Sequence, residues 1–165
     1  MHGYDVATWR MFFLAMIGAA ATLTGLLFVS VSINLDRILS GGTFLPARAR
    51  ETLACLVLIV AYSSLTLVPQ NTVALGIEIL LLAAPLLTAT LWDQINHLGS
   101  HPSDPVLWSV SRMASTGMGT LPATLAGVSL IARWGGGFYL LVPASLLGIF
   151  GAVYSAWVLL VEIAR

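Results

Sequence analysis

Between Arg10 and the Asp36–Arg37 pair, the chain runs through residues 11–34 without a single charged side chain. A helix needs about 20 apolar residues to cross a hydrocarbon core of roughly 30 Å. Four further runs follow, at about 52–68, 73–92, 109–131 and 138–161, with Glu78 inside the 73–92 run and Arg112 near the start of the 109–131 run. Residues are 58% hydrophobic and 8% charged, against roughly 25% charged in a soluble domain, so the chain cannot cover a surface exposed to water. These features predict an all-α fold: a polytopic transmembrane helix bundle of five spans, forming a single transmembrane domain over residues 1–165.

The second run stops at Pro69, which has no amide hydrogen for a helix ladder. Pro69, Gln70, Asn71 and Thr72 then leave room only for a tight turn, which makes runs two and three an antiparallel hairpin. Merging those two runs into one re-entrant element would leave four spans, but the apolar residues from 52 to 92 suffice for two crossings. Pro85, Pro122 and Pro143 fall inside helical runs, where a membrane bundle can re-satisfy the freed carbonyls. Ala19, Ala20 and Ala21 imitate a signal cleavage motif, but the apolar run continues to Ile33 and Asp5 precedes it, so the first run reads as a retained span.

A formal net charge of zero removes the basic excess that nucleic-acid binding requires. The single cysteine, Cys55, excludes an internal disulfide and a Cys-based zinc site. Five spans place Arg37, Arg48, Arg50, Arg112 and Arg165 on one side and only Arg10 and Arg133 on the other. The excess of arginine marks the cytoplasmic side, so the expectation is a multi-pass protein of a bacterial plasma (inner) membrane, N-terminus outside and C-terminus in the cytoplasm. Trp9 and Trp134 fall at the outer ends, and Trp92, Trp108 and Trp157 near the inner ends, as interfacial belts require.

Helices in lipid associate through close backbone approach at small residues and through interhelical hydrogen bonds. Gly18, Thr22, Gly25, Val29, Ser32 and Asp36 form such a face on the first span, at spacings of three and four. Ala144, Gly148, Gly151, Ser155, Val158 and Glu162 repeat it on the fifth, and Arg112, Thr116, Gly119, Ala123 and Ala126 do so on the fourth. Each stripe reads as packing within one bundle or, alternatively, as the face toward a second subunit. Asp36, Arg112 and Glu162 all lie at the inner level, which predicts that Arg112 pairs with Asp36 or Glu162.

Glu78 lies roughly 7 Å inside the third span at 1.5 Å per residue, and an intramembrane acid marks a bundle interior or an aqueous cavity. It is expected to point into protein or water, neutral or paired with a hydroxyl on the neighbouring span, where Tyr62, Ser63, Ser64 and Thr66 are closest. It is thus the candidate proton or cation site. Asp93, His97 and His101 follow at spacings of four, with Asp104 nearby, a weak metal set of the kind that suits Zn or Ni. Gly99, Ser100 and Pro102 favour a polar loop there. No nucleophile triad, phosphate loop or paired-carboxylate motif is present, and no cofactor is implied. Gly135, Gly136 and Gly137 read as a turn between spans.

Residues 20–35 (AATLTGLLFVSVSINL) and 156–163 (AWVLLVEI) resemble a family of small uncharacterised polytopic membrane proteins of high-GC Gram-positive bacteria. The similarity takes in most of the chain, including Gly76-x-Glu78 and the Gly-rich turn before residues 139–143. Some members carry the loose label of modulator of a membrane-bound protease. Family members commonly have Asn where this chain has Ser155, and a more Arg-rich loop where it has His97 to Asp104, so the resemblance assigns that loop no role. It implies membrane location and a bundle fold, without an activity.

The resulting functional expectation is a non-enzymatic interaction or assembly subunit, partnered by the lipid bilayer and by a homo-oligomer or larger membrane complex. The alternatives are a small channel or transporter subunit using Glu78, and a membrane enzyme built on His97 and His101.

Overall fold

The structure is a computed structural model describing residues 6–40, 44–96 and 105–164, excluding the side chains of 40, 44, 93, 94, 96, 105–116 and 162–164. Its helices are α1 (Val6–Ile33), α2 (Leu35–Ser40), α3 (Phe44–Leu67), α4 (Thr72–Asn96), α5 (Pro105–Ala132) and α6 (Gly137–Ala164). No strand occurs among the described residues. α1, α3, α4 and α6 are long and apolar enough to cross a membrane, and α5 contributes the apolar stretch Gly117–Ala132. This is the helical bundle expected of a multi-pass membrane protein. We refer to the end where α1 starts as the N-terminal face, and to the opposite end as the far face.

The helices overrun the apolar stretches that announce them, because hydrocarbon thickness limits the charge-free run and not the helix. Arg10 sits inside α1 with its side chain exposed. α3 begins well before residue 52, so Arg48, Arg50 and Glu51 are helical and not part of a loop. At Asn34 the amide N–H and the side-chain Nδ2 both donate to the Ser30 carbonyl, at 3.3 and 2.9 Å, and its own carbonyl accepts from Ile38 N–H at 2.9 Å. This cap ends α1 and starts α2, which the sequence pattern did not announce. Ile38 of α2 is buried with Ala49 of α3 and Leu159 of α6, flanked by Val31 and Leu45, and closes the far end of these helices.

The expected hairpin is present. Val68 N–H donates to Leu65 O at 3.2 Å, and Asn71 Oδ1 accepts from Val73 N–H at 3.0 Å, the N-cap arrangement that satisfies an orphan donor of α4. Between α5 and α6, Arg133 has φ 52° and Trp134 N–H reaches back to Ser129 O at 3.2 Å, a six-to-one closure of a helix end. Gly135 and Gly136 continue with φ of 80° and 67°, a left-handed path that glycine follows without strain.

α3 is the central helix. It packs chiefly on α1 and α6, while α4 packs chiefly on α5 and α5 on α6, leaving α1 at an edge. A Cβ at Gly76 would stand 2.9 Å from Gly127 O, and one at Gly119 2.8 Å from Gly148 Cα, so both seams of α5 depend on backbone contact. Pro85, Pro122 and Pro143 are accommodated within α4, α5 and α6.

Candidate functional site

α1 is held at the N-terminal face by rings. Trp9 meets Tyr139 edge-on at 4.9 Å, and Phe13 meets Phe138 at 5.9 Å. Its inward line is Phe13, Ala20 and Leu27, seven residues apart and buried. This spacing returns each residue to nearly the same face, and the bulk of Phe13 and Leu27 occupies this inward side of α1. The small-residue stripe therefore turns outward: Gly18, Thr22, Gly25, Val29 and Ser32 are all exposed. Among the described residues nothing lies within 4 Å of a Cβ built at Gly18 or Gly25. Thr22 Oγ1 donates to Gly18 O and Ser32 Oγ to Phe28 O, each at 2.8 Å, so the hydroxyl hydrogens on this face are satisfied within the helix.

The other two stripes point the opposite way. Ala144, Gly148, Gly151 and Ser155 of α6 are buried, with Val158 half-buried, as are Gly119, Ala123 and Ala126 of α5. Next to them Tyr62 and Ser145 join α3 to α6 through a buried hydroxyl pair at 2.8 Å. Toward the far face the seam of α1 and α6 opens into an apolar groove of ≈ 290 Å³, floored by Leu56 and walled by Leu26, Leu27, Ala152, Val153 and Trp157 among others.

Glu78 is half-buried near the N-terminal face, and its Oε2 accepts from Gln70 Nε2 at 2.8 Å. The same Nε2 donates to Leu65 O at 3.2 Å, so one amide ties the end of α3 to the first turns of α4. The expected hydroxyl partners do not meet it, and the Ser63 hydroxyl is buried without a hydrogen-bond partner among the described residues. Tyr62 pairs with Ser145, Thr66 Oγ1 donates to Ser63 O at 2.6 Å, and Ser64 is exposed. Gln70 replaces them because the turn folds its side chain back over the start of α4, a reach that a search along neighbouring spans does not consider.

At the far face Asp36 is exposed on α2, separated from the α1 stripe by the bend at Asn34. The side chains of Arg112 and Glu162 lie outside the described residues, and so does their expected pairing with Asp36. The metal set also lies outside them, since His97, His101 and Asp104 are undescribed and Asp93 has no described side chain. The search for charge-free runs missed Arg48 and Glu51, which are only 2% and 5% exposed and both engaged in interactions. Their signal was present in the spacing: Arg48, Glu51, Cys55, Ile59, Tyr62 and Thr66 recur at three and four and form the buried face of α3. No protein-family model matches the chain, and neither does any curated protein or solved structure.

Proposed function

We propose that the chain is a non-enzymatic interaction or assembly subunit, and that the exposed small-residue face of α1 seats a transmembrane helix from a second copy or another subunit. The observation that carries this reading is the outward position of Gly18, Thr22, Gly25, Val29 and Ser32. Lipid supplies no hydrophobic drive for helix association, so close approach over small residues is what such a face offers. The excess of Arg at the far face supports a cytoplasmic C-terminus, and the resemblance of residues 20–35 and 156–163 supports a bacterial plasma membrane.

The test is the mass of the assembly extracted into lipid nanodiscs. Replacing Gly18 and Gly25 together by Leu should reduce that mass to the single chain, while Leu81→Phe on the exposed side of α4 should leave it unchanged. An unaltered assembly in the double variant overturns the reading. A transport role for Glu78 has less support, because its carboxylate is held by Gln70 of its own hairpin. Loss of proton or cation flux in liposomes on Glu78→Gln would favour that role instead.

A further inference from the structure

We propose that the depression between the far ends of α3 and α4 binds the phosphate headgroup of an anionic glycerophospholipid. Arg50 of α3 and Thr88, Ala89 and Trp92 of α4, all exposed, border a wide, open depression of ≈ 400 Å³. From Arg50 to the end of α3 at Leu67 is about 26 Å of helix, and from Thr72 to Trp92 about 30 Å, which matches the thickness of the hydrocarbon core. Arg50 and Trp92 therefore emerge at headgroup level on the far face.

Charge and shape select the ligand. Arg50 supplies the charge of this surface, and Thr88, Ala89 and Trp92, the other described residues that line it, are uncharged. Glu51, the next residue, is buried on the inward side of α3. A guanidinium presents a planar fork of donors that matches phosphate oxygens in pairs, and basic pockets between spans take anionic headgroups. Thr88 Oγ1 gives its hydrogen to Pro85 O at 3.0 Å, so the donors come from Arg50 while Thr88 and Ala89 form the floor. Pro85 and Leu81 continue the exposed face of α4 toward the membrane centre, a track for an acyl chain that free phosphate would not use.

Native mass spectrometry of the full chain, with dioleoylphosphatidylglycerol and dioleoylphosphatidylcholine offered together, tests the site. Phosphatidylglycerol should be retained preferentially, and Arg50→Gln should lower its retention about fivefold, the worth of one basic side chain at a lipid surface. Arg133→Gln, at the opposite face, should leave retention unchanged. Equal retention of the two lipids, no loss in Arg50→Gln, or an equal loss in Arg133→Gln overturns the proposal. Displacement of the lipid by inorganic phosphate would assign the depression to free phosphate and overturn the lipid. Thr88→Leu fills the depression without touching the charge. It should also reduce retention, and unchanged retention in that variant overturns the site even if Arg50→Gln fails to fold.

Discussion

The stripes of α1 and α6 are alike in residue type and spacing, yet α6 buries its stripe and α1 exposes it. Position in the bundle accounts for the difference. α6 lies between α5 and α3, so two neighbours draw its small residues inward, whereas α1 sits at the edge and packs chiefly on α3. Bulky Phe13 and Leu27 take its inward side, Phe13 against Phe138 of α6, and no described residue comes within 4 Å of a Cβ at Gly18 or Gly25. Spacing tells which residues share a face, and the neighbours decide what the face meets.

The largest expected effect comes from breaking the buried side of this comparison. Gly119→Ala would place a Cβ 2.8 Å from Gly148 Cα and 3.0 Å from Cys55 Sγ, forcing α5 and α6 apart. We expect a loss on the order of 1–3 kcal/mol in reversible denaturation in mixed micelles. Stability equal to the parent would mean that the seam of α5 and α6 is looser than described. Tyr62→Phe should cost about 1 kcal/mol in the same assay, because it removes the hydroxyl pair beside the α6 stripe while Ser145 keeps its 2.7 Å bond to Leu141 O.

Glu78→Gln should change folding stability by no more than about 0.5 kcal/mol, since the amide oxygen can still accept from Gln70. A larger loss would show that the charge itself holds the hairpin. The smallest effect belongs to the exposed side of the comparison. Gly25→Ala meets nothing within 4 Å among the described residues and should leave denaturation of the isolated chain within about 0.5 kcal/mol of the parent. A loss comparable to that of Gly119→Ala would erase the distinction between the two stripes.

The apolar runs made the bundle and its hairpin legible, because hydrocarbon thickness imposes a length that sequence displays directly. They also explained which helices tolerate Pro85, Pro122 and Pro143. The start of α3 was hidden because Arg48 and Glu51 interrupt the apolar run, although their spacing continues its buried face. The bend at Asn34 was hidden because α2 is a single short helix whose place depends on Ile38 meeting Ala49 and Leu159, contacts remote in sequence. Glu78 was legible as an unusual position but its partner was not, since Gln70 reaches it only after the turn has formed. The outward direction of the α1 stripe depends on tertiary neighbours that spacing does not encode.

The inward-facing Arg48 and Glu51 also bear on how the protein is made. Leu45–Leu67 is less apolar than Thr72–Trp92, yet half of it is buried while most of Thr72–Trp92 is not. Among the four helices long and apolar enough to cross a membrane, the least apolar is thus the most buried. For membrane insertion α3 therefore has the most to gain from a neighbour, and the short turn at residues 68–71 places α4 next to it. Lengthening that turn would separate the partners at the moment of partitioning, a vulnerability in synthesis that the finished bundle conceals.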